Sequence, residues 1–385
     1  MIFQRIGMDT FNRKVGNNLN VRFFKKSERQ LLLDTIDRLW KHDHIYVRKP
    51  EVLEHFVLNT PYREAFAGKD NYSYVAMLDD DGRIVGIYGC IPQIFNIFGK
   101  NYPSETATTW LFDKECCSGA NGLALRDFCY KKGIKAAVYF GLSDEAYRID
   151  EAYGSFMTSD FPRWLCVLQK DSVKKYLLPK LLATNILPLI KHVECSNKYK
   201  IEIDELRDDK WDEFYFKHVA PVTVGTQRDY KFLLWRYGQS PILKYKFISV
   251  IDENKNFLGL AVIRKEEILD GALYLGRILE FISFDAEASI QLANAVTNYY
   301  SDIALWDFYC LSDITTYGLE MIGFRKSPSW MQHAMIPTRF HPVDLEHIKL
   351  NGAVYISDSI KYKINQLTSI PWYITRGDSD QDRAN

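Results

Sequence analysis

No charge of either sign dominates this sequence. Forty-nine Lys and Arg balance 49 Asp and Glu, for a formal net charge of zero, so no whole-molecule field draws the chain to nucleic acid or anionic lipid. No long basic patch is visible either. The seven cysteines (Cys90, Cys116, Cys117, Cys129, Cys166, Cys195 and Cys310) form no C-x-x-C pair and have no paired histidines nearby. That argues against a disulfide framework or a zinc site, and no metal is expected. The most apolar run, YLLPKLLATNILPLIKH, holds Lys180 and two prolines and is too short to span a bilayer. The amino-terminal MIFQRIGMDTFNRKVGNN has polar residues where a signal peptide needs an apolar stretch. Together these absences predict a soluble cytoplasmic protein with no membrane insertion and no nucleic-acid partner.

What is present is enough apolar chain for more than one core. The 385 residues are 47% hydrophobic and 14% aromatic, which excludes a disordered chain and suggests two or three domains. Two segments repeat one order of elements. The first runs through the strand VRFFKK, the helix SERQLLLDTIDRLWKH and an irregular stretch to Lys69. NYSYVAML and RIVGIYGCIP follow as strands across the turn DDDG, and IFNIFGKNYPSETATTWLF forms a hairpin at FGKNY. A Gly-containing loop, CCSGANG, leads into the helix LALRDFCYKKG, the strand IKAAVYFGLS and the helix DEAYRIDEAYGSF. The second segment gives YKIEIDEL, DDKWDEFYFKHV, YKFISVID, FLGLAVIRKE, ALYLGRILEFISFD, AEASIQLANAVTNYYSD, IALWDFYCLS and DITTYGLEMIGF in the matching order. Between them, DSVKKYLLPKLLATNILPLIKHVECSN reads as a helical connector with prolines at its ends or kinks.

The repeated unit resembles the GNAT acyltransferase fold present twice, over roughly 20–165 and 200–340. Within that superfamily, TTWLFDKECCSGANGLALRDF, RILEFISFD, EMIGF and the ending RGDSDQDRAN are similar to the tandem-repeat acyltransferases of bacterial surface-polysaccharide (O-antigen) synthesis. The resemblance implies an α/β (α+β) fold of two lobes, each a twisted mixed sheet flanked by helices. Its divisions are an N-terminal lobe over 1–165 carrying the coenzyme A site, a connector over 166–199, a C-terminal lobe over 200–340, and a tail over 341–385 packing across the lobes. It implies transfer of an acyl group from acetyl-CoA or a longer acyl-CoA to a nucleotide-linked amino sugar, with a dTDP-3-amino-3,6-dideoxyhexose as first suspect. The protein would be a monomer or homodimer.

In such a fold the coenzyme A pyrophosphate rests on backbone amides where a loop enters a helix. The resemblance places that seat on Cys117, Ser118, Gly119, Ala120, Asn121 and Gly122, with the helix starting at Leu123. The family's Arg/Gln-x-x-Gly-x-Gly/Ala pattern is kept only at Gly122, because Cys117 and Ala120 stand at its other two places. FDAEASIQLAN in the second repeat has no Gly at all, so the thioester is assigned to the first lobe. Leu111, Phe112 and Asp113 would flank the pantetheine, and Gly122→Trp is expected to abolish its binding without unfolding the chain. Ser143 aligns with the family's position ahead of the last helix. The tyrosine position there is Asp150, leaving Tyr147 or Tyr153 as the substitute acid that protonates the departing thiolate.

Candidate bases are Glu105, Asp113, Asp150, Asp285 and His333, since a base must reach the amine directly or through one water. Each has a bland alternative, a salt-bridge partner for Glu105 and a half-buried strand residue for His333. Arg277 and Arg376 with Trp330 and Asp285 would hold the sugar nucleotide. On composition alone the polar ending is disordered. Asp378, Asp380 and Asp382 alternate as in calcium loops, but no bidentate Glu follows, and folding back into ion pairs is the better reading. Two rivals stay open: an aminoacyl-tRNA-dependent peptidyl transferase of two such lobes, and a non-catalytic protein that kept the fold.

Overall fold

The computed structural model describes residues 20–113, 115, 119–177, 187–195, 198–312, 314–326 and 350–383, with the backbone alone at 119–121. Contacts divide the chain into two compact units, Met1–Gln93 with Pro103–Lys135, and Ile94–Tyr102 with Ala136–Asn385. Among the described residues the strands fall into two sheets. Among the described residues no helix is long and apolar enough to cross a membrane.

The first unit contains β1 (Asn20–Lys25), α1 (Arg29–Leu39), α2 (Ile45–Arg48), α3 (Pro50–Val57), α4 (Arg63–Ala67), β2 (Asn71–Leu78), most of β3 (Ile84–Ile97) and β4 (Lys100–Phe112), and α5 (Gly119–Lys131). Its strands lie in the order β1-β2-β3-β4. The DDDG turn forms as expected. Asp79 Oδ1 accepts from the Asp81 and Arg83 amides, and Gly82 takes φ +79°. The stretch read as irregular instead folds into the three short helices α2 to α4. α5 lays Leu125 and Cys129 against Phe23, Val75, Met77, Val85, Tyr88 and Cys90, which make this unit's core.

The second unit continues with β5 (Ala136–Phe140), α6 (Asp144–Ala152), β6 (Phe156–Thr158), β7 (Arg163–Val167), α7 (Lys170–Tyr176), β8 (Lys200–Ile203), α8 (Asp208–Phe214), β9 (Val224–Thr226), α9 (Tyr230–Leu233), β10 (Lys246–Ile251), β11 (Phe257–Ile268) and β12 (Leu273–Ser283). It closes with α10 (Ala286–Tyr299), β13 (Ile303–Leu311), α11 (Tyr317–Met321), β14 (Arg325–Lys326), β15 (Gly352–Ile356), α12 (Asp358–Lys361) and β16 (Ile374–Thr375). One sheet runs β14-β7-β13-β12-β11-β10-β8. It is mixed: β12 and β13 are parallel, joined by α10 as a crossover helix, and the other pairs are antiparallel. The same unit pairs β5, β15 and β6 antiparallel, and sets β9 against the Phe95–Ile97 end of β3.

The expected boundary near 165 falls inside β7, whose residues pair with β13. Among the described residues of the connector, the helix is Lys170–Tyr176. Residues 178–186 lie outside the described part, and 187–195 are extended and irregular. Val173, Leu177 and Leu187 pack with Leu275 and Leu305.

Candidate functional site

In the first unit β4 runs straight towards the start of α5. Trp110 Nε1 donates to the Gly122 carbonyl at 2.9 Å, and a Cβ built on Gly122 would stand 2.8 Å from the Phe112 ring. Glycine at 122 is therefore a packing requirement, and it lets the first turn of the helix sit close against the strand. The Asp113 amide donates to the Val85 carbonyl at 2.8 Å, while its carboxylate pairs with Arg83 at 3.2 Å. The expected loop is corrected in one respect: the helix begins at Gly119, so Gly119–Gly122 are its first turn and not a loop before it. Cys117 and Ser118 lie outside the described residues. The opening turn reads Gly-Ala-Asn-Gly, with no acidic residue. Its first amides lack intrahelical acceptors and carry the positive end of the dipole, which suits a pyrophosphate.

The corresponding place in the second unit is filled from within. α10 follows β12 as α5 follows β4, but its N-terminus is capped by Asp285, whose Oδ1 accepts from the Ala288 amide at 2.8 Å, with Glu287 in the first turn. One carboxylate bound there and a second beside it leave no favourable seat for a phosphate.

The gap between the parallel strands is closed as well. β12 and β13 pair from Tyr274↔Ile303 to Ile278↔Phe308 and no further. Beyond that point β16 pairs with β13, Thr375 opposite Cys310 and Ile374 opposite Leu311. The Phe281 amide of β12 donates to the Tyr373 hydroxyl at 3.1 Å. Tyr373 in turn donates to Glu280 Oε2 at 2.8 Å, while Oε1 accepts from Tyr237 at 2.6 Å and Arg228 at 2.8 Å. Burial raises the Glu280 carboxyl, with Arg228 opposing it and Asp378 adding to it. Gly377 has no room for a side chain, since its Cβ would fall 1.9 Å from the Tyr237 hydroxyl.

The segment expected to be disordered on composition is thus among the most buried in the unit. Asp378 pairs with Arg228 at 2.8 Å, Asp380 with Arg383 at 2.7 Å, and Asp382 with Arg264 at 2.7 Å. Arg236 donates to the Gly377 and Ser379 carbonyls at 2.8 and 3.0 Å. Each of the three aspartates that resembled a calcium loop has a guanidinium partner.

Several expected site residues take other roles. Glu105, a candidate base, is fully buried in the first unit and accepts from Tyr88 at 2.7 Å beside Cys90 and Cys129. In that core it cannot meet an acceptor amine. Arg277 and Arg376, assigned to the sugar nucleotide, are 1% and 3% exposed. Arg277 faces Asp307, Glu266 and Asp382 at 3.6 to 3.8 Å. Arg376 donates to the Gln381 carbonyl at 2.8 Å and lies over the Tyr309 ring. Burial and the Arg277 cation push its guanidinium down to about 9. Asp285 is spent on capping α10.

Ser143 caps its own helix, accepting from the Ala146 amide at 3.2 Å. Asp150 is buried on α6, while Tyr147 on the same helix is half-buried. Leu111 and Phe112 are half-buried at the end of β4. Trp330 and His333 lie outside the described residues. Tyr373 and Arg228, which hold the filled gap, were not singled out as a pair. They lie 145 positions apart in the chain, and nothing local links them.

No protein-family model and no curated protein matches the sequence. Solved structures do match the fold. A GCN5-related N-acetyltransferase from Anabaena variabilis superposes with a TM-score of 0.56 at 13% identity, covering 89% of this chain and 74% of that one. A probable N-acyltransferase of unknown function from Enterococcus faecalis gives 0.52 at 13%, covering 81% and 70%. A GCN5-related N-acetyltransferase from Kribbella flavida gives 0.52 at 12%, covering 89% and 72%. The mixed α/β fold, with two sheets flanked by helices, is that of the GCN5-related N-acetyltransferases, as the sequence resemblance implied.

Proposed function

We propose that the protein is an N-acyltransferase that takes its acyl-CoA thioester on the first unit. The observation that carries this reading is the contrast between two helix starts. α5 opens with Gly-Ala-Asn-Gly, packed tightly against β4 and without an acidic residue, whereas α10 is capped by Asp285 and the gap beside it holds β16. The first-turn amides of α5 would cradle the pyrophosphate. The end of β4, at Trp110, Leu111 and Phe112, would line the pantetheine. The acceptor nitrogen attacks the thioester carbonyl directly, the C–S bond breaks as the amide forms, and the amine proton leaves with the thiolate or through solvent.

With Glu105 withdrawn into a core, the base candidate left in the first unit is Asp113, whose carboxylate is paired with Arg83. An amine held neutral in a desolvated pocket needs little help, and a thiol leaves readily near neutral pH. The acceptor we propose is a nucleotide-linked amino sugar, first a dTDP-3-amino-3,6-dideoxyhexose, on the sequence resemblance to surface-polysaccharide acyltransferases. The test is release of free coenzyme A thiol when acyl-CoA of graded length meets dTDP-linked amino sugars. Release with one sugar nucleotide supports the reading. No release with any amine, together with no rise in melting temperature on adding any thioester, overturns it in favour of a protein that kept the fold without the chemistry.

A further inference from the structure

The first unit buries three groups that rarely meet in an apolar core. Cys90 on β3, Glu105 on β4 and Cys129 on α5 are each fully buried, and one ligand atom from each lies within 4.8 Å of the others. The two thiols are free. Around them the core is otherwise apolar, formed by Phe23, Val75, Met77, Val85 and Leu125.

We propose that Cys90, Cys129 and Glu105 bind one zinc-class divalent cation that ties α5 to β3 and β4. The donor set is the first argument. Two soft thiolates and one hard carboxylate form a mixed donor set that zinc accepts, with ligand bonds of about 2.0–2.3 Å. A tetrahedral ion with such bonds sets its ligand atoms about 3.5–3.8 Å apart, inside the spacing found here. Outer contacts are the second argument. Tyr88 donates to Glu105 Oε1 at 2.7 Å, the kind of hydrogen bond that orients a ligating carboxylate. Cys90 Sγ, 3.3 Å from the Ser73 carbonyl, gives up that weak S–H bond when its proton leaves.

Charge is the third argument. Two thiolates and a carboxylate carry three negative charges, and the ion supplies two positive ones. Arg126, fully buried on α5 one turn ahead of Cys129, is stacked 5.2 Å over Trp110. Binding changes no oxidation state. The ion enters, the two thiol protons and any carboxyl proton are released, and three bonds to the metal form. No short-range motif announces the site, because its ligands stand 15 and 24 residues apart in the chain and only the fold brings them together. The ion would be structural, holding the helix whose first turn is the proposed pyrophosphate seat.

The test is elemental analysis of the full chain purified without added metal or chelator, followed by exchange into cobalt. The expected result is one zinc per chain, a thiolate-to-cobalt charge-transfer absorption after exchange, and loss of both in Cys129→Ser. If Cys129→Ser fails to fold, Glu105→Gln provides the second reading, and it should weaken retention of the ion in a chelator competition by about 10-fold or more. A folded chain without metal that takes up no cobalt overturns the proposal. So does recovery of Cys90 and Cys129 as a disulfide, or a Glu105→Gln variant that retains its ion as the parent does. These readouts are independent of any transferase activity.

Discussion

Asp382 shows how much of the second unit's stability rests on single buried charges. Burial works to raise its carboxyl, but the Arg264, Arg277 and Arg376 cations outweigh it and hold the group well below the usual carboxylate range. Removing it in Asp382→Ala takes one carboxylate from two buried guanidiniums, leaving Arg264 beside Glu266 and Arg277 beside Glu266 and Asp307. A loss of about 3–5 kcal/mol is expected, read from the urea midpoint of the second unit's transition. The sign with pH follows from the depressed pKa. The contribution is complete above the unfolded value of about 3.9 and is lost as pH falls from there through the lower folded value. Acid titration should therefore leave the pair intact at pH 5 and weaken the parent more than the variant below about pH 4. Tyr373→Phe removes a donor to Glu280 and strands the buried Phe281 amide, at a cost of about 1–3 kcal/mol in the same measurement. None of this was legible locally. The sequence suggested that the tail aspartates fold back into ion pairs but not with which partners, because Arg264 and Arg277 lie 118 and 105 residues upstream of Asp382. Glu105 was misplaced for a related reason. Ser104, Glu105 and Thr106 are all buried, so β4 has no polar face there to show which way the carboxylate points.

At the level of elements, the strands and longer helices were legible because they carry their own signals. DDDG and FGKNY mark hairpins whose residues adopt positive φ at Gly82, Phe98 and Gly99, and α10 shows its buried stripe over 14 residues. The helices α2 to α4, of four to eight residues, are too short to form without the packing around them, so the sequence showed only an irregular run. β16, two residues long, is specified by the gap it fills. A chain truncated after Trp372 should lose protease resistance across β12 and β13, whereas truncation after Asp382 should keep it. Limited digestion with mass mapping distinguishes the two. The expectation that Gly122→Trp would leave the fold intact also changes. With Phe112 against that position, Gly122→Val should lower the melting temperature as well as thioester affinity. A variant with unchanged melting temperature would mean that helix and strand do not pack as described.

Across the whole molecule, order outlasted identity. The two repeats place strand, helix and strand alike, and the fold matches acetyltransferase structures at 12–13% identity, because layer packing and crossover handedness constrain topology far more than sequence. In the second unit the gap beyond the β12–β13 pairing is given over to holding residues 373–383. The central claim is that a thioester binds at β4 and α5 and not at β12 and α10. Hydrogen exchange with and without saturating acetyl-CoA tests it most directly. The account predicts slowed exchange at amides 119–123 and around Trp110 to Asp113, with no change at 279–283 or 309–311. Slowed exchange at 279–283 and 309–311 with α5 unaffected would contradict it.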